Sequence, residues 1–103
     1  MLELQNSTSF EYILMENDLV LVDFFATWCP PCKMLSPIID EFASLREDIK
    51  VVKVNIDDYK PIADKYDVHA VPTLIFFKKG VEVKRHMGFL GISQLNDIVD
   101  ELK

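Results

Sequence analysis

Residues 26–34 of this 103-residue chain read Ala26-Thr27-Trp28-Cys29-Pro30-Pro31-Cys32-Lys33-Met34 and contain both of its cysteines. A spacing of three residues lets the two thiols meet across the first turn of a helix, with Cys29 at the exposed rim of that turn. A structural staple is the alternative interpretation. A ring this small, however, stabilises a fold by only about 2 kcal/mol, less than a longer loop would give. The spacing therefore favours a reversible disulfide.

The helix that follows supplies a second reason to expect chemistry at this position. Pro31 fits a first helical turn, where its missing N–H would have been unpaired, so a helix is predicted from around Cys32. Cys29 then lies at the positive end of the helix dipole, which is worth roughly 0.3–2 kcal/mol to a negative charge. Lowering a thiol pKa by one unit needs about 1.4 kcal/mol. We therefore expect hydrogen bonds from the Cys32 amide and thiol to add to the stabilisation of a Cys29 thiolate.

Composition and charge argue against several classes of protein. The formal net charge of -6 disfavours a nucleic-acid partner, because phosphate binding needs a basic face. The segment Met1–Asn6 lacks the basic and apolar regions of a secretion signal, and no apolar run is long enough to span a bilayer. We therefore expect residues 1–103 to form a single monomeric domain in the cytoplasm, without membrane contact and with proteins as partners.

Apolar periodicity outlines an α/β fold with helices on both faces of a central mixed sheet. Helices are predicted from Thr8 to about Asn17, from Cys32 to Leu45 with Pro37 inside, through Ile62–Tyr66 with Asp57 and Asp58 as caps, and from a Ser93 cap to Leu102. Strands are predicted at Leu2 and Leu4, at Leu19–Phe25, Ile49–Asn55 and Leu74–Phe77, and at Val81–Met87 after a Lys78-Lys79-Gly80 turn. The cysteines then follow the carboxyl end of a central strand, where open α/β sheets commonly hold their chemistry.

Asp23 and Lys53 are charged residues that stand within two of the predicted apolar strands. Burial in the run Leu19–Phe25 would raise the pKa of Asp23 and make it a candidate proton carrier, whereas at a strand end its carboxylate would lie in water. Lys53 is likewise a charged residue within the next predicted apolar strand. If the two strands are neighbours, its ammonium can lower the pKa of Asp23 again; the alternative is a lysine that faces solvent. Periodicity alone leaves both questions open.

The segment Val22–Lys33 resembles the active-site segment of the thioredoxins, and the resemblance covers almost the whole chain. The motifs Asn55-Ile56-Asp57 and Val71-Pro72-Thr73, the turn at Gly80, and Gly88 all follow in the order expected of that family. This combination is far more specific than a pair of cysteines with two residues between them.

The resemblance implies a thioredoxin fold and a thiol-disulfide oxidoreductase that reduces protein disulfides. The sequence contains no cofactor motif, so no cofactor is expected. Its expected partners are disulfide-containing target proteins and a flavin-dependent reductase that draws on NADPH. The resemblance implies that Cys29 is the nucleophile and Cys32 the resolving thiol, with Asp23 as acceptor of the Cys32 proton and Lys53 as modulator of Asp23. It also implies that the Val71 backbone and a cis Pro72 bind the target. Trp28, beside the pair, is expected to form part of an apolar target-binding surface; a packing role alone is the alternative.

The dipeptide between the cysteines departs from the Gly-Pro common in that family. Pro30 removes an amide donor near the Cys29 sulfur, and Pro31 confines Pro30 to extended geometry. The lost N–H favours the disulfide, whereas a stiff loop favours the dithiol. The sequence therefore predicts that Pro30 and Pro31 tune the redox balance, and it leaves the sign open.

Within redox chemistry, an oxidant or an isomerase is an alternative, because Pro30 and Pro31 change the redox balance; the lack of a secretion signal weighs against it. Two functions outside redox chemistry also account for a cysteine pair of this spacing. The pair can form half of a zinc site, but His69 and His86 are too widely spaced to supply the other half, and the sequence has no further cysteine. The chain can also be an interaction module with incidental thiols. Catalysed reduction of insulin, lost in Cys29→Ser, separates an enzyme from such a module.

Overall fold

Residues 2–3 and 8–103, the part of the chain that the computed structural model describes, form five strands and four helices. The strands are β1 (Leu2–Glu3), β2 (Leu19–Phe25), β3 (Lys50–Asn55), β4 (Thr73–Lys78) and β5 (Val81–Met87). The helices are α1 (Thr8–Glu16), α2 (Pro30–Leu45), α3 (Lys60–Lys65) and α4 (Ile92–Leu102). The predicted order of elements is confirmed, and Leu4, predicted to belong to the first strand, lies outside the described residues.

The strands form one mixed sheet in the order β1-β3-β2-β4-β5. β1, β3 and β2 are parallel, whereas β4 is antiparallel to β2 and β5 is antiparallel to β4. β2 is therefore the central strand, paired on both edges. Its register places Asp23 between Lys53 of β3 and Leu74 of β4.

Each face of the sheet has its own apolar core, which explains the nearly unbroken apolar run of β2. Val20, Val22 and Phe24 point to the face covered by α1 and α3. Leu19 and Leu21 point to the face covered by α2 and α4. Because side chains alternate along a strand, Asp23 belongs to the second face, beneath α2.

Three predicted helix starts are wrong, each for a local reason. α2 begins at Pro30 rather than Cys32, because Pro30 and Pro31 occupy its first two positions and Cys29 is the N-cap. Neither Asp57 nor Asp58 caps α3, whose N-cap is Tyr59. The Asp57 carboxylate instead accepts a hydrogen bond from Trp28, in the turn before α2. The α4 cap is Gly91 rather than Ser93. There the Gln94 Oε1 accepts a hydrogen bond from the Gly91 N–H at 2.9 Å.

The β4–β5 hairpin turns at Lys79-Gly80, inside the predicted Lys78-Lys79-Gly80 turn, and Lys78 is the last residue of β4. Both residues have positive φ angles, 52° and 81°, the combination that matches the twist of a two-residue hairpin. A register shift between Phe76 and Phe77 marks an irregularity in this ladder. Among the described helices, none is both long and apolar enough to cross a membrane.

Candidate active site

The cysteine pair lies at the N-terminus of α2, directly after the carboxyl end of β2. A disulfide joins Cys29 and Cys32, whose Cα atoms are 5.3 Å apart. Cys29 is the N-cap of α2, with extended backbone angles of -100° and 108°. Its sulfur accepts a hydrogen bond from the Cys32 N–H at 3.2 Å. The amide expected to stabilise a Cys29 thiolate is therefore in place.

Cys29 is more enclosed than its predicted place at an exposed rim. The residue is 3 % exposed and Cys32 is 5 % exposed. The prediction failed because Ile56 and Val71, both distant in sequence, pack against the pair together with Phe25. A target disulfide must therefore reach the sulfur through the surface next to it. That surface includes Trp28, which is 65 % exposed, and the exposed Pro30 and Pro31.

The segment Val71–Pro72 lies next to the disulfide, and Val71 packs against both cysteines. The carbonyl oxygen of Val71 lies 3.7 Å from the Cys29 sulfur, and the Val71–Pro72 peptide bond is cis, as the resemblance implies. The Pro72 carbonyl accepts a hydrogen bond from Gly88 at 2.9 Å. Gly88 therefore holds Pro72 in place, and the neighbouring Val71 carbonyl lies against the sulfur.

Trp28 is fixed by a hydrogen bond to a third loop. Its Nε1 donates to Asp57 Oδ2 at 2.9 Å, and the Asp57 N–H in turn donates to Asn55 Oδ1 at 2.9 Å. The indole thus stays exposed but is held beside Cys29. This contact also explains why the Asp57 carboxylate does not cap α3.

Asp23 is buried, so the alternative of a carboxylate in water is wrong. It is 2 % exposed, and its Oδ1 has no hydrogen-bond partner among the described residues. Burial raises the pKa of Asp23 to about 6, against the opposing charge of Lys53 and with a smaller upward contribution from Asp40. A carboxyl group with this pKa is a base at neutral pH that still binds protons readily.

Lys53 lies opposite Asp23, but its ammonium is bonded elsewhere. The two residues are register partners on β2 and β3. The Lys53 Nζ donates a hydrogen bond to Ser36 Oγ and lies 3.4 Å from Asp40 Oδ1. Its side chain is only 14 % exposed, so the interpretation of a fully solvent-facing lysine is also wrong.

Sequence reasoning missed Ser36 and Asp40. Both follow Cys32 on successive turns of α2, so they lie on the same side of the helix as the resolving cysteine. That periodicity was a usable signal. It identifies no lysine partner, however, until the packing of α2 over β3 is known.

One cleft connects these groups. It has a volume of about 270 Å³, and its lining includes Asp23, Cys32, Lys33, Ser36 and Lys53. Cys32 and Asp23 thus share a common space, as a proton transfer from one to the other requires. Within residues 2–3 and 8–103, no group of three or more His, Cys, Asp or Glu side chains is arranged to hold a metal ion.

This fold and a disulfide at the N-terminus of a helix define a thiol-disulfide oxidoreductase. The family model of the thioredoxins matches residues 1–101, and the chain belongs to the thioredoxin family. It is 44 % identical over 87 residues to thioredoxin-2 of Saccharomyces cerevisiae, covering 84 % of each chain. It is 39 % identical over 101 residues to a thioredoxin of Chlamydia pneumoniae, covering 98 % of each.

Solved structures agree with this assignment. The X-ray structure of Fasciola hepatica thioredoxin superposes with a TM-score of 0.91 at 34 % identity, and the match covers all of both chains. A Halobacterium salinarum thioredoxin variant superposes with a TM-score of 0.90 at 35 % identity, covering 97 % of this chain and 88 % of the other. The chain therefore carries out thiol-disulfide exchange on disulfide-containing substrates.

Proposed function

We propose that the chain is a protein-disulfide reductase in which Cys29 is the nucleophile and Cys32 the resolving thiol. The Cys29 thiolate attacks one sulfur of a target disulfide, and the other target sulfur leaves as a thiolate. Cys32 then attacks the Cys29 sulfur, which forms the Cys29–Cys32 disulfide and releases the second target thiolate. Two electrons pass from the cysteine pair to the target. The Cys32 N–H on the Cys29 sulfur is the observation that carries this assignment.

Asp23 is the proposed acceptor of the Cys32 proton. Its burial, its raised pKa and the cleft that it shares with Cys32 support this role. Lys53, opposite Asp23, lowers the pKa of the carboxyl group and so modulates its strength as a base. Pro30 and Pro31 are the proposed redox-tuning residues.

Trp28, Val71 and Pro72 are the proposed target-binding residues. Trp28 offers an exposed apolar surface beside the disulfide. The Val71 backbone lies next to the Cys29 sulfur, where an extended target segment can pair with it as an added strand does. Binding in this way brings the target disulfide to a sulfur that is otherwise enclosed.

The proposed reducing partner is a flavin-dependent reductase that uses NADPH. It would return the Cys29–Cys32 disulfide to the dithiol after each cycle. We further propose that residues 1–103 work as a single monomeric domain in the cytoplasm, where reducing surroundings suit a catalytic cysteine pair.

Trapping the mixed disulfide tests the order of attack. Full-length Cys32→Ser, mixed with a disulfide-bonded target such as insulin, should accumulate a covalent adduct through Cys29 that dithiothreitol releases, because the resolving thiol is missing. Cys29→Ser should form no such adduct. Mass spectrometry of non-reduced samples measures both. An adduct that forms through Cys32 at least as fast as through Cys29 would contradict the proposed roles.

A further inference from the structure

We propose that Ser36 and Asp40 are positioning residues, which hold the Lys53 ammonium toward α2 and leave the buried Asp23 carboxylate without a direct counter-ion. This inference rests on the proposed role of Asp23 as proton acceptor. It concerns two residues that take no part in the thiol chemistry themselves.

The geometry of the Lys53 side chain carries the inference. Lys53 and Asp23 are register partners on neighbouring strands, so their side chains leave the sheet on the same face and a direct ion pair would be the simplest arrangement. The Lys53 Nζ instead bonds to Ser36 and approaches Asp40 at 3.4 Å. The Asp23 Oδ1 meanwhile has no hydrogen-bond partner among the described residues.

The other groups around Asp23 do not replace the missing partner. From α2, Lys33 lines the same cleft but is exposed, and it does not bond to the Asp23 Oδ1, which has no hydrogen-bond partner among the described residues. From β4, the register partner Leu74 is apolar. One strand further, His86 of β5 has its Nε2 3.3 Å from the Phe89 carbonyl oxygen. Lys53 is thus the cation best placed to neutralise Asp23, and its position determines how strongly it does so.

The two anchors differ in how they act. The Ser36 hydroxyl is uncharged, so removing it changes the electrostatics at Asp23 mainly by releasing Lys53. Asp40 carries a negative charge that acts on Asp23 directly as well as through Lys53. Ser36 is therefore the cleaner position to test.

The experiment is an NMR titration of the Asp23 side-chain carboxyl in the full-length oxidised protein, in which the cysteines do not titrate. In Ser36→Ala, Lys53 can turn toward Asp23. We expect the midpoint of the Asp23 titration to fall by about 1 pH unit, the lower end of the pKa change that an opposite charge within roughly 4–6 Å causes. Ser36→Thr, which keeps the hydroxyl, should restore the parent midpoint. Ser44→Ala is the matched control, because Ser44 lies on the same helix and its hydroxyl donates a hydrogen bond to the Glu41 carbonyl oxygen.

A Lys53→Gln background separates positioning from a general effect of the substitution. In that background Ser36→Ala should leave the Asp23 midpoint unchanged, since there is no ammonium to release. An unchanged or raised midpoint in Ser36→Ala alone would overturn the inference, as would an equal fall with and without Lys53. These outcomes are independent of whether Asp23 accepts the Cys32 proton, which Asp23→Asn kinetics decide separately.

Discussion

The backbone N–H of Cys32 donates a hydrogen bond to the Cys29 sulfur at 3.2 Å across the first turn of α2. The two residues between them, Pro30 and Pro31, have no N–H with which to add a second bond. Backbone stabilisation of a Cys29 thiolate from this turn therefore rests on one amide. A different residue at either proline would restore an N–H in this turn, and Pro30 directly follows Cys29.

We predict that Pro30→Gly changes the reduction potential of the cysteine pair. A hydrogen bond to a charged group is worth about 1.5–3 kcal/mol, which corresponds to about 30–60 mV for a two-electron couple. A new bond to the thiolate makes the dithiol more stable and raises the potential, whereas a more flexible loop makes the disulfide easier to form and lowers it. Equilibration with glutathione measures the change.

The matched control for this prediction is Pro61→Gly. Pro61 is an exposed proline in the first turn of α3, away from the disulfide, and its replacement should leave the potential unchanged. Equal potentials in the parent and Pro30→Gly would show that Pro30 does not tune the pair.

Asp23→Asn should stabilise the oxidised protein near neutral pH. Because burial raises the pKa of Asp23 from 3.8 to about 6, the folded state binds this proton more tightly than the unfolded state does. The contribution of Asp23 to the free energy of unfolding is therefore fully present below the unfolded pKa and is lost as the pH rises through about 6. The loss amounts to about 3 kcal/mol, at about 1.4 kcal/mol per pKa unit.

Urea unfolding at several pH values measures this effect. The difference between Asp23→Asn and the parent should be largest near neutral pH, should shrink as the pH falls from about 6 to about 4, and should be constant below that. Asp58→Asn, which changes an exposed aspartate, should show no such pattern. A difference independent of pH would mean that the Asp23 charge is not the cause.

Resolution of the mixed disulfide should depend on the same carboxyl group. In the parent, release of the target should slow as the pH falls through about 6, because a protonated Asp23 cannot accept the Cys32 proton. In Asp23→Asn, release near neutral pH should be on the order of 100-fold slower, the lower range of general-base effects. Stopped-flow Trp28 fluorescence measures the rate of target release in the parent and in Asp23→Asn. Parent-like rates in Asp23→Asn would remove Asp23 from the mechanism.

Arg46 should contribute measurably to stability at the end of α2. Its guanidinium bonds to both oxygens of Asp48 at 3.0 and 2.7 Å, to Asp100 at 2.8 Å and to Asn96 at 3.1 Å, and its side chain is 13 % exposed. We expect Arg46→Ala to lower the free energy of unfolding by about 1–2 kcal/mol, and by less at high salt.

The comparison for Arg46 is the exposed ion pair of Lys60 and Asp64 on α3. With side chains 75 % and 60 % exposed, it should be worth no more than about 0.5 kcal/mol. Urea unfolding of Arg46→Ala and Lys60→Ala under one set of conditions measures both losses. Equal losses would contradict the view that the Arg46 network is stronger because one guanidinium makes four hydrogen bonds.

The sheet could be predicted from the sequence because its central strands are buried on both faces. The apolar run of β2 and the turn at Lys79-Gly80 are local signals that no distant residue alters. The helix caps were less predictable. Asp57 has the side chain of a good cap, but its carboxylate accepts the Trp28 Nε1–H from another part of the chain.

The candidate site also combines features that are visible in local sequence with features that depend on distant residues. The cysteine pair and the buried Asp23 stand out within their own segments of sequence. The enclosure of Cys29 depends on Val71, and the placement of Lys53 depends on Ser36 and Asp40, contacts between residues far apart in the chain. Such contacts are determined by how α2 packs over β3 and by where the Pro72 loop lies, which no local pattern encodes.

The most direct test of the account is the pH dependence of Cys29 alkylation in the reduced full-length protein. Iodoacetamide labelling, assigned to Cys29 by peptide mass spectrometry, should follow a midpoint clearly below about 8.5, the value for free cysteine. The same chain unfolded in urea is the reference. A Cys29 midpoint equal to or above that of the unfolded chain would contradict the assignment of Cys29 as the attacking thiolate.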